Sequence, residues 1–321
     1  MSVRLAICAV HTVNAEKGSV MKLAATCRNI RLMAPDDAAV SFFKSPFTAH
    51  ETGSAVDIAY GDFGSPARSP VDGVVIDTRE FETPTPFRYR SFTDHLTAVR
   101  CGELIVRILH VKPDVNIGTC LRTGEDFGRF VRSGYFYFWN FSHLHIEVRI
   151  HSDYLRAKSD MQLDLPVGVV RRACTGDADE NTPDRFDFTG EVVFSCDRYA
   201  LIDCPDYSTD GHFNGYSVGD FLIDGFIPAR DHALHRFGLV GRSRDSPRFE
   251  SFRSIGNAHL VRSSGVDLRI FDGQSRPLDL AGASFILFFG KPLIKLVPIR
   301  YGEDLPQCGD MVSIQMSAHN E

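Results

Sequence analysis

No segment between residues 42 and 150 carries a long helical period; short apolar runs alternate there with clusters of glycine, proline and aspartate. That pattern restricts the region to a hairpin-rich sheet, since such residues make turns and the runs between them are strand-length. Candidate strands are Ala55–Ala59, Gly73–Arg79, Leu96–Cys101, Leu104–Val111, Gly134–Phe138 and Leu144–His151. The expected fold class is mainly β: an antiparallel sheet with long loops at one end.

The most informative strand is the last. In Asn140-Phe141-Ser142-His143-Leu144-His145-Ile146-Glu147-Val148-Arg149, residues Ile146, Val148 and Ile150 set a period of two, and the aromatic run 135–139 leads in. Residues i and i+2 of a strand project from one face. His143 and His145 therefore stand side by side on a rigid element. One imidazole of such a pair can bind a metal while the other handles protons. Alone, a His-x-His pair is as common at a polar sheet edge, so the residues upstream decide.

Upstream lie His50-Glu51-Thr52-Gly53-Ser54-Ala55-Val56-Asp57-Ile58-Ala59 and then the run from Gly64-Ser65-Pro66 to Asp72-Gly73-Val74-Val75. Next come Leu104-Ile105-Val106-Arg107-Ile108-Leu109-His110 and the double turn Val115-Asn116-Ile117-Gly118 … Gly124-Glu125-Asp126-Phe127-Gly128. In this order the blocks, over about residues 42–150, resemble the zinc metallopeptidases of the lysostaphin and LytM type, the M23 family. The resemblance implies that family's duplicated hybrid motif β-domain and zinc-dependent hydrolysis of an amide bond. It implies His50, Asp57 and His145 as zinc ligands, with His110 and His143 as the catalytic pair. Its substrates would be glycine-rich peptides or peptidoglycan-type cross-bridges.

One spacing departs from the family's: six residues, Glu51 to Val56, separate His50 from Asp57, where three are usual. Loop-closure entropy grows slowly with length, so the longer loop can still close on one ion. Glu51 and His95 stand as alternatives to His50. Ser54 occupies the last position of a His-Glu-x-x-His pattern, which excludes the helix-borne zinc-peptidase motif here. A metal-free LytM-like module that binds or regulates a partner is the alternative from another class. A closed, purely structural metal site with His110 or His143 as fourth ligand is a third.

Composition bounds the rest. A chain of 321 residues allows two ordinary domains. The formal net charge is −6, so a nucleic-acid partner is not expected. No run of 18 apolar residues predicts a membrane helix. The apolar stretch Leu5–Val10 is broken by His11 and is short for a secretory signal, so a cytoplasmic protein is expected, with export open. The eight cysteines, without a Cys-x-x-Cys pair, read as scattered thiols; Cys196 and Cys204 flank a short segment and could be bridged in an exported protein.

The organisation expected is a leader or lid over 1–40, the peptidase-like domain over 41–155, and a β-rich sandwich or barrel over 160–321. Ala24–Met33 reads as a short strand or helix, Asp153–Met161 as a short helix and Cys174–Phe188 as an acidic loop. Strand signals in the last region are Gly190–Ser195, Asp220–Phe226, Ala258–Val261, Val266–Phe271, Ser284–Phe289 and Lys291–Arg300. That domain is expected to recognise a substrate or partner, or to oligomerise. Its His232 and His235 read as surface or core residues, and Asp206, Asp210 and His212 as a polar loop.

Overall fold

The structure is a computed structural model. It describes residues 20–318, apart from 45–46, 85–91, 157–160, 174–184, 231–235, 244–248, 250–251 and 263–264. The signal-sequence reading, His232 and His235, and most of the acidic loop lie outside the described residues. The chain is nearly all β, with antiparallel sheets. It divides into two compact units, Met1–Val40 with Thr48–Pro166, and Ser41–Phe47 with Val167–Glu321.

In the first unit, β1 (Met21–Cys27) and β2 (Ile30–Pro35) form a hairpin whose turn places Arg28 at φ 53°. The segment 24–33 is therefore strand and turn. The other strands are β3 (Ala39–Ser41), β4 (Ala55–Ala59), β5 (Pro66–Arg68), β6 (Gly73–Glu82), β7 (Thr93–Cys101), β8 (Leu104–Leu109), β9 (Val111–Pro113), β10 (Cys120–Leu121), β11 (Asp126–Phe130) and β12 (His143–Ile150). The main sheet runs β10-β6-β7-β8-β12-β4-β3, and a small sheet runs β5-β11-β9. Val75, Ala98, Val99, Val106, Ile108, Val56, Ile58, Ile146 and Val148 are fully buried and form its apolar interior. Burial of such side chains contributes about 1.5–3 kcal/mol each, which fixes the register that the site depends on.

Two expectations fail locally. Gly134–Phe138 is not a strand. The amide of Phe136 donates to Ser133 O at 3.1 Å and that of Asn140 to Tyr137 O at 3.1 Å, which curls the chain into turns. A side chain on Gly134 would lie 2.1 Å from Thr83 Oγ1, so the backbone is pressed against its neighbour instead of laddering with a partner. The apolar alternation survives without a ladder: Phe136 and Phe138 are buried, Tyr135 and Tyr137 exposed. The strand expected over Leu104–Val111 breaks at His110, whose φ is 71°. That left-handed residue carries the chain from the main sheet into β9 of the small one. Over 153–156 the chain forms turns, where a helix was expected.

In the second unit the short strands Arg171–Arg172, Ser208–Thr209, Asn214–Gly215 and Leu287–Phe288 ladder with one another, and the remaining strands form one antiparallel sheet. Its strands follow the order Phe252–Ile255, Ala258–Arg262, Arg236–Val240, Phe221–Pro228, Gly282–Phe285, Ile294–Val297, Tyr199–Asp203, Arg185–Cys196, Met311–Ala318 and Val266–Asp272. Its core includes Val192, Ile202, Ile223, Phe237, Phe285, Leu296 and Ile314. Ser41–Phe47 belongs here because the buried Asp224 Oδ2 accepts the amides of Phe42 and Phe43 at 2.6 and 3.1 Å. Asp210 Oδ1 accepts the amides of His212 and Phe213 at 2.8 and 2.6 Å, so the polar loop expected there is a turn capped by its own aspartate. Among the described residues Cys196 and Cys204 are free thiols.

Candidate metal centre

Register builds the site. In the β12–β4 ladder His145 stands directly opposite Asp57, and His143 opposite Ala59. Directly opposed residues share a face with Cβ atoms about 5 Å apart. Asp57 Oδ1 accordingly lies 3.0 Å from His145 Nδ1. His143, two residues along the same face, brings Nε2 to 3.6 Å from Asp57 Oδ2.

His50 arrives from the helical turn Thr48–Glu51. The amide of Ser54 donates to Ala49 O at 2.8 Å and that of Gly53 to His50 O at 3.2 Å, with Gly53 at φ 70°. This pair of bonds with a left-handed glycine is the Schellman end of a helix. It reverses the chain into β4, so the extra residues between His50 and Asp57 form a capped turn instead of a slack loop. His50 Nε2 then sits 3.3 Å from Asp57 Oδ1 and 3.2 Å from His145 Nδ1.

His50, Asp57 and His145 are the one group of potential metal ligands among the described residues. Glu51 and His95, the alternatives to His50, are not in it. The three facing atoms make a triangle with edges of 3.0, 3.2 and 3.3 Å. Ligand atoms about 2.0–2.1 Å from a tetrahedral zinc stand about 3.3 Å apart, so the triangle matches one face of that tetrahedron. All three residues are buried, with Asp57 6% exposed and His145 8%.

The polar face of β12 continues past the histidines. His145, Glu147 and Arg149 lie at successive i+2 positions of a strand that is buried through Arg149. His145 Nε2 meets Glu147 Oε1 at 3.0 Å, Glu147 also accepts from Arg149, and Arg107 reaches Glu147 Oε1 from β8 at 2.9 Å. A carboxylate behind a ligating histidine fixes its orientation and raises its basicity. Burial opposes a charge on His145, but the hydrogen bonds and charges of Asp57 and Glu147 outweigh it and push its pKa up to about 9. Burial likewise opposes ionisation of Asp57; the charges of His143 and His50, with hydrogen bonds from His145 and His50, hold its carboxyl well below the usual range. Without metal a proton therefore sits within the triangle, and a metal would displace it.

His110 and His143 flank this group. Their ring centroids are 5.2 Å apart, and that of His110 is 5.9 Å from His145. Phe136 stacks on His143 at 4.5 Å and meets His110 edge-on at 4.6 Å, giving both rings one apolar wall. His143 Nδ1 lies 3.0 Å from the Phe141 carbonyl, which can only accept. Neutral His143 thus carries its proton on Nδ1 and leaves Nε2 as an acceptor. His110 Nδ1 lies 2.6 Å from Asp94 Oδ2, a fully buried carboxylate on β7.

Sequence reasoning assigned no role to Asp94, Glu147 or Arg149. Glu147 and Arg149 were accessible to it, because the period that pairs His143 with His145 puts them on the same face. Asp94 left only a weak trace, an aspartate at the start of a strand where that residue is uncommon.

Among known proteins, a family model described as "Domain of unknown function (DUF8155) N-terminal domain" matches residues 31–165. No curated protein matches the chain. A solution structure of lysostaphin aligns at 11% identity and TM-score 0.25, over 77% of this chain and 95% of that one. A second structure, the antimicrobial peptidase lysostaphin from Staphylococcus simulans, aligns at 11% and 0.23, over 76% and 92%. A likeness of this degree carries no argument about chemistry. Among the described residues no helix is long and apolar enough to cross a membrane.

Proposed function

We propose that the first unit is a zinc-dependent hydrolase that cleaves an amide bond in a peptide. The observation that carries this reading is the convergence of His50 Nε2, Asp57 Oδ1 and His145 Nδ1, with two further histidines beside them. Two imidazoles and a carboxylate suit zinc, and three protein ligands leave a fourth position open. A zinc held there would polarise a scissile carbonyl and bring the pKa of its bound water toward about 7. His110 and His143 would handle protons, one as base and the other steadying the oxyanion or protonating the leaving amine. Phe136 would keep water from their shared side. The ordered motif blocks favour a glycine-rich or cell-wall-type peptide as substrate.

The test is cleavage of glycine-rich peptides and cell-wall fragments by the purified full chain. Turnover that a chelator abolishes, zinc restores and His145→Ala lacks supports the reading. Turnover indifferent to chelator contradicts it. Full zinc occupancy without cleavage of any substrate in the screen favours the non-catalytic module.

A further inference from the structure

We propose that Asp94 is a positioning residue: its buried carboxylate locks His110 with the proton on Nδ1, so that Nε2 faces the metal centre as a bare acceptor. This rests on the function proposed above for its catalytic meaning, but its structural content stands apart.

Asp94 is fully buried at the start of β7 and is no part of the metal triangle. A carboxylate is kept in such a place only when it is paired and hydrogen-bonded. Oδ1 accepts the amide of His95 at 2.7 Å, and Oδ2 accepts the hydroxyl of Ser133 at 2.7 Å and faces His110 Nδ1 at 2.6 Å. Burial works against its charge, yet His110, Ser133 and the His95 amide together hold its carboxyl below the usual value. It is therefore ionised, and an ionised carboxylate can only accept. The proton of the short contact belongs to His110 Nδ1.

The backbone clamps the ring from behind. The His110 amide donates to His95 O at 3.3 Å, and the His110 carbonyl accepts the Val131 amide at 3.0 Å. Between these bonds His110 adopts φ 71°, a conformation an L-residue accepts only when its surroundings impose it. Strand end, carboxylate and Phe136 thus fix position, tautomer and ring plane together. His143, by contrast, faces the Phe141 carbonyl through Nδ1 and Asp57 Oδ2 through Nε2, at 3.0 and 3.6 Å.

The experiment is long-range proton–nitrogen NMR on the full-length, zinc-loaded, ¹⁵N-histidine protein near pH 8, with His110 assigned by its loss in His110→Gln. The expected spectrum shows a protonated Nδ1 and a bare Nε2 at His110; the opposite tautomer overturns the proposal. In Asp94→Asn, unlike wild type, the Nδ1–H form should no longer be the sole species. Zinc per chain should be unchanged, and any peptide cleavage should fall about 100-fold or more. A variant that keeps the wild-type tautomer, loses zinc, or cleaves at the wild-type rate contradicts it. Ser133→Ala removes one donor and keeps the charge, so it should retain the tautomer should Asp94→Asn not fold; loss of the tautomer there also counts against Asp94. Absence of cleavage by wild type would refute the proposed function and leave the spectral result to decide this one.

Discussion

Replacing His110 by glycine should leave the protein more stable than replacing it by alanine, although glycine usually weakens an ordered backbone. Both variants delete the imidazole and deprive buried Asp94 of the same hydrogen bond. That shared loss, on the order of 1–3 kcal/mol, cancels in the comparison. What remains is the backbone at φ 71°. A left-handed conformation costs a residue with a Cβ about 1–2 kcal/mol and costs glycine almost nothing. Against this, glycine loosens the unfolded chain by about 0.4–1 kcal/mol relative to alanine. The balance favours glycine by about 1 kcal/mol. Urea unfolding of the metal-free proteins can be followed by fluorescence, because Trp139 is the only tryptophan and reports the first unit alone. With a urea dependence of about 1–3 kcal/mol per molar, the midpoints should differ by about 0.3–1 M. An alanine variant at least as stable as the glycine one would refute the reading of His110 as a strained corner.

Three other outcomes follow from the geometry. The pKa of His145 is raised from its unfolded value to about 9, so its contribution to the metal-free fold is complete below the unfolded value and disappears as pH rises through about 9; the Trp139-monitored midpoint should fall over that window, and a flat profile would contradict the Asp57–His145–Glu147 chain. Lys295, 1% exposed, has its pKa depressed first by burial and then by the charges of Lys44 and Arg198, so stability should climb with pH toward about 10.4; Lys295→Met should be at least as stable at pH 7 and should lack the climb in calorimetry. A Cβ on Gly238 would lie 2.0 Å from the ring of the buried Phe43, so Gly238→Ala should cost about 1–3 kcal/mol, visible as a lower calorimetric Tm, and an unchanged melting profile would show that the core there yields.

The fold class was legible because short apolar runs separated by turn residues leave little else to form. The histidine pair was legible because a period of two is local. What escaped was set by contacts distant in sequence. Gly134–Phe138 has the alternation of a strand but no neighbour to ladder with, since Gly134 is pressed against Thr83. The break at His110 is imposed by hydrogen bonds to His95 and Val131 on other segments. The turn that carries His50 to Asp57 was hidden because Thr48–Glu51 is too short to show a period, although Gly53 marked its end. Asp94 acquires its meaning only when β7 and β8 pair and bring it beside His110.

The proposed chemistry requires that three buried side chains hold one ion. Elemental mass spectrometry of the purified full chain, beside Asp57→Ala and His145→Ala, measures this. About one zinc per wild-type chain, lost in both variants while Asp94→Asn keeps it, is the expected result. A folded wild-type chain that takes up no zinc from buffered solution, or variants that retain it, would rule out the metal centre.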